Sequence, residues 1–120
     1  MRPIAKLYAE RGDIKAFLKA ERYRLGFATK FPYMLPQGIE TVLREAIEAI
    51  LGFEKALQNP ENAELSMVPF GAFELNASYS IMPEKGGYKV EVYASELNIG
   101  IVETIKGMLG NYGFEAIDYE

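Results

Sequence analysis

Residues 22–31 read Arg22-Tyr23-Arg24-Leu25-Gly26-Phe27-Ala28-Thr29-Lys30-Phe31, and the reading of this stretch decides the fold. Tyr23, Leu25, Phe27, Thr29 and Phe31 alternate with Arg24, Gly26, Ala28 and Lys30. That period of two marks a half-buried strand. The same residues also extend a preceding helix to about Gly26. The alternation favours a strand over 22–31.

Toward the N-terminus, Ile4, Leu7, Tyr8 and Arg11 stand at helical spacing, and Gly12 suits a left-handed helix end. Asp13 is then the expected N-cap of a second helix, its carboxylate accepting amides of the first turn. Ile14, Phe17, Leu18 and Leu25 make the apolar face of that helix, and Arg11, Lys15, Lys19 and Arg22 follow on a neighbouring face. Residues 1–21 are expected as a basic helical arm, and 22–120 as the body of a single α+β domain. The charges divide accordingly. Residues 1–30 carry eight Lys or Arg against three acids, a net +5, whereas 31–120 carry five against fourteen, a net −9. A basic stripe can follow phosphates, but this body has little positive charge to extend such a surface. Nucleic acid is therefore not expected, and a solvated face or a contact with an acidic surface is.

Toward the C-terminus, Pro32 and Pro36 bracket Tyr33-Met34-Leu35 and hold the chain extended. Phe31, Tyr33, Met34 and Leu35 thus place large apolar side chains in a loop. Such a cluster either plugs the end of a core or centres an interface, where aromatics and Met are enriched. These residues are the interface candidates. Residues 38–58 carry the clearest helix, with Ile39, Leu43, Ala46, Ile47, Ile50, Phe53 and Leu57 at steps of three and four. Leu65 to Met82 alternates, with Pro69 and Gly71 expected to interrupt it and leave the better strand over 72–82. A turn over 83–87 leads to a return strand that buries Tyr88, Val90 and Val92. A helix to about Gly110 and a strand over 114–119 follow.

After the N-terminal helices the order is strand, helix, strand, strand, helix, strand. It resembles the ferredoxin-like split β-α-β plan (βαββαβ), an antiparallel sheet with helices on one face. If 22–31 is helical instead, a helical front half precedes a ββαβ back half. That alternative is similar to small-molecule-binding domains of the vinyl-reductase-like type, whose common cysteines this chain lacks. Both resemblances are topological and fix no function.

At 49% hydrophobic and a net charge of −4, the chain of 120 residues is too apolar and too weakly charged for disorder. It has no His, Cys or Trp. Those zeros exclude disulfides, thiol nucleophiles, Cys- or His-built zinc sites and Ser-His catalysis. Gly107 and Gly110 form a GxxG string, but Met108 and Leu109 fill the tip where a nucleic-acid loop wants positive charge. The plainer reading is a glycine-weakened helix end. No catalytic residue, metal site or cofactor is expected. No apolar run approaches the roughly 20 residues of a membrane span, and residues 1–10 lack a secretory core. A cytoplasmic protein without a membrane partner is expected. It should act by association, as a homodimer or higher oligomer. A small-molecule-binding regulatory domain stands second and nucleic-acid binding through the basic arm third.

Overall fold

In the computed structural model, which describes residues 2–31, 38–59, 63–70, 77–94 and 99–117, the deciding stretch is helical. Helix α1 runs unbroken over Arg11–Thr29. Its buried residues are Ile14, Phe17, Leu18, Glu21 and Leu25, spaced at three and four, while Tyr23 and Phe27 face solvent. The strand expected over 22–31 is corrected by that burial. Of its supposed inner face, only Leu25 is buried, because the alternation belongs to two different sides of one helix.

The first segment is corrected too. Ala5–Ala9 is strand β1, not a helix, and Ala5, Leu7 and Ala9 point into the core. Glu10 takes the N-cap position of α1 without a side-chain bond, and Asp13 lies inside the first turn. A carboxylate there still favours the positive end of the helix dipole.

Helix α2 (Ile39–Ala56) follows, then β2 (Leu65–Phe70), β3 (Ala77–Glu84), β4 (Gly87–Ala94), α3 (Ile99–Gly110) and β5 (Glu115–Ala116). The order βααβββαβ is not the ferredoxin-like βαββαβ. The described strands form one sheet in the order β2-β3-β4-β1-β5, and every pairing is antiparallel. The fold is α+β with an open antiparallel sheet, and its second half carries the alternative's ββαβ sequence as β3-β4-α3-β5. Pro69 does not end β2. It sits on an edge strand, where its missing N–H costs nothing to the ladder. The β3–β4 turn is tighter than expected: Glu84 pairs with Gly87 across Lys85 and Gly86, whose φ values of 47° and 83° make the mirror-image turn that suits strand twist. Gly107 and Gly110 lie within α3, so the GxxG string forms no loop.

One face of the sheet presents Leu7, Tyr79, Ile81, Tyr88, Val90 and Val92 to the helices. Phe17 of α1 is the hub, with its ring edge-on to Tyr79, Tyr112 and Phe114 at centroid distances of 5.3, 5.7 and 5.2 Å. The alternate residues, among them Lys6, Tyr8, Ser78, Met82, Lys89, Glu91 and Tyr93, are half-buried on the opposite face. No described helix is long and apolar enough to cross a membrane.

Candidate functional site

The basic stripe of α1 divides by role. The Arg11 guanidinium donates to the Leu57 carbonyl just past the end of α2. Arg22 Nε lies 3.0 Å from Glu54 Oε1 of α2. These two arginines therefore fasten one helix to the other. Lys15 and Lys19 remain exposed. The stripe thus offers half the cationic surface that its sequence suggested.

Another line of residues, on α1 and its two caps, is exposed. Glu10, Gly12, Ala16, Lys19, Tyr23, Phe27 and Lys30 all face solvent, and from Gly12 onward they recur at steps of three and four. That spacing draws a ridge straight along one side of a helix. Tyr23 is 77% exposed and Phe27 54%. Phe31, an interface candidate, is half-buried with its ring 5.0 Å from that of Phe27. Tyr33, Met34 and Leu35 lie outside the described residues. The ridge was missed because a strand reading turns Tyr23 and Phe27 inward. Read as helix, the same two residues fall opposite Leu18 and Leu25.

Beneath α1 lies a buried polar cluster. Glu21 is 5% exposed and accepts two hydrogen bonds from Arg24, at 2.7 Å to Oε2 and 3.0 Å to Oε1. Arg24 also donates to the Pro69 carbonyl of β2 at 2.9 Å. The Tyr79 phenol stands beside Glu21, and its pKa is pushed well above the ordinary value by burial first and then by the Glu21 charge, with Arg24 opposing.

Compared with protein-family models, curated proteins and solved structures, the chain gives no match.

The outer sheet face neutralises its own charges. Tyr93 donates to Glu91 Oε2 at 2.8 Å, and Lys89 Nζ lies 3.3 Å from Glu91 Oε1. The aromatic and the lysine that would serve base stacking are thus both held by a carboxylate. Beside the β3–β4 turn, a hollow of about 510 Å³ is lined by Arg11, Glu84, Lys85 and Tyr88 among others. Arg11 Nε and the Tyr88 hydroxyl lack hydrogen-bond partners but are sealed from solvent, so a ligand resting in the hollow does not reach them. Among the described residues no group of three or more acids is placed to hold a metal ion.

Proposed function

We propose that this protein acts by association rather than catalysis, as a homodimer joined through α1. The exposed Tyr23–Phe27 ridge carries the reading, since a helix that keeps two large aromatics in water gains by covering them. The occupant that fits best is a second copy. Bulk and space are arranged at opposite ends of the ridge: Gly12 and Ala16 near the N-terminus, Tyr23 and Phe27 near the C-terminus. An antiparallel two-fold contact sets Tyr23 over Ala16 of the other copy and Phe27 over its Gly12. The same register brings Lys30 near Glu10. A Cβ built on Gly12 meets nothing within 4 Å, so that position has room for an incoming ring. Such a contact is isologous and closes on itself, as the commonest soluble oligomers do. Phe31 borders the ridge through Phe27 and extends the covered area.

Lys19 falls near the two-fold axis, where two like charges oppose the contact and their stems alone contribute. The double variant Tyr23→Ser with Phe27→Ser is expected to be a folded monomer by light scattering, its melting temperature extrapolated to infinite dilution matching the parent's, because both residues are exposed. Lys19→Leu is expected to tighten the dimer. A parent protein that stays monomeric at tens of micromolar overturns the reading, as does a double variant that keeps the dimer mass.

A further inference from the structure

Between α1 and α3 a cleft of about 150 Å³ is lined by Phe17, Ala20, Glu21, Arg24, Met108, Leu109 and Tyr112. Its lining is apolar or aromatic apart from the Glu21–Arg24 ion pair. We infer that this cleft is a binding site for a neutral single-ring aromatic bearing a hydroxyl or amino donor, a phenol in the simplest case. The inference stands apart from the α1 ridge and does not need the dimer.

Size comes first. A cavity of about this volume with apolar walls takes up one six-membered ring. The walls then favour an aromatic body. Phe17 and Tyr112 already meet edge-to-face at 5.7 Å, and Met108, 39% exposed, adds a thioether at the mouth. Ring edges and sulfur both contact a π-face favourably.

The ion pair sets the polar requirement. An ionised carboxylate has about four lone-pair sites; Arg24 occupies one on each Glu21 oxygen, and the Tyr79 phenol beside it takes at most one more. Glu21 still has acceptor capacity, and its side chain keeps 7% of its surface open. A ligand donor meets that capacity. A ligand carboxylate has no proton to donate to it. Arg24 neutralises Glu21, so a cation gains little there. The ligand that satisfies walls, volume and ion pair together is neutral, aromatic and donor-bearing.

Titration of the full-length protein with phenol, benzene and benzoate, followed by amide chemical shifts, tests the site. Phenol is expected to bind about tenfold more tightly than benzene, the ratio of one hydrogen bond, and benzoate more weakly than phenol. Intermolecular Overhauser contacts from the phenol ring to the Met108 methyl and the Tyr112 ring are expected on the unaltered protein. Ala20→Leu, which fills the cleft and leaves Glu21 and Arg24 in place, is expected to abolish phenol binding. Equal affinity for benzene and phenol overturns the part given to Glu21. Phenol contacts with other residues, or binding that survives in a folded Ala20→Leu protein, overturn the site. Should Ala20→Leu fail to fold, the Overhauser contacts on the unaltered protein decide alone.

Discussion

Glu21 shows how a single residue holds more than its own place. Its carboxylate is nearly out of water, and only Arg24 beside it makes that burial tolerable. The arginine also reaches the Pro69 carbonyl, so the pair ties α1 to the edge strand β2. The energetic consequence is asymmetric. Arg24→Met leaves a buried carboxylate uncompensated and is expected to cost about 3–5 kcal/mol. The double variant Glu21→Leu with Arg24→Met removes both charges, leaving mainly the lost Pro69 bond, about 1 kcal/mol. Urea denaturation midpoints of the two proteins check this. A double variant as unstable as the single one would show that ion-pair attraction, not desolvation, dominates. Glu21 was illegible in the sequence because the carbonyl that completes its partner's bonding lies 45 residues away along the chain. A Glu and an Arg three residues apart on a helix are otherwise read as a solvated surface pair.

At the level of elements, the sequence was clearest where one period held over a whole segment. Ile39 to Leu57 buries Leu43, Ala46, Ile50, Phe53 and Leu57 as its spacing foretold. Tyr79 and Ile81 on β3, with Val90 and Val92 on β4, face inward as their alternation required. The front of the chain misled for a physical reason. The inner face of α1 includes Glu21 and its outer face includes Tyr23 and Phe27, so polarity and burial part company within two turns. β1 is only five residues long, too short for alternation to be told from helical spacing. Its place between β4 and β5 is set by partners distant in sequence. The α1–α3 cleft depends on that same long-range assembly and left no local trace. The β3–β4 hairpin sits on β1 through Gly87, and here the structure makes a sharp demand. A Cβ added at Gly87 would lie 2.3 Å from the Tyr8 hydroxyl oxygen and 2.5 Å from the Ala9 carbonyl oxygen. The tyrosine can swing away, but the backbone carbonyl cannot. Gly87→Ala is therefore expected to cost about 1–3 kcal/mol, the usual range for overpacking, with hydrogen exchange accelerated first in β1 and β4. Unchanged stability would mean the two strands are not so closely apposed.

Over the whole molecule, the absence of His and Cys and the presence of eight Tyr set the response to pH. No side chain has an ordinary pKa between about 5 and 8. At the alkaline end several phenols are raised by the fold. Tyr79 is raised most, by burial and then by Glu21. Tyr88 is raised by burial with Arg11 opposing, and Tyr93 by its hydrogen bond to Glu91 and then by burial. Tyr8 is raised as well, by burial and then by Glu10 and Glu84. For each, the folded state keeps a proton that the unfolded chain releases above about pH 10. The folded state then binds more protons, so stability falls with rising pH. The contribution is complete below the unfolded value and is lost as pH climbs toward the folded ones. Thermal melts are accordingly expected to be nearly flat from about pH 6 to 9 and to drop steeply beyond about pH 10. Tyr79→Phe separates this phenol from the rest. At neutral pH it is expected to cost no more than about 1 kcal/mol, the scale of one polar contact. Above about pH 10 its melting temperature should fall less steeply than the parent's, because the ring no longer carries a proton to lose. Tyr93→Phe, on the outer face, should change that slope less. If Tyr79→Phe and the parent lose stability in parallel, the buried phenol is not what holds the proton, and the polar cluster under α1 is more open to water than its packing indicates.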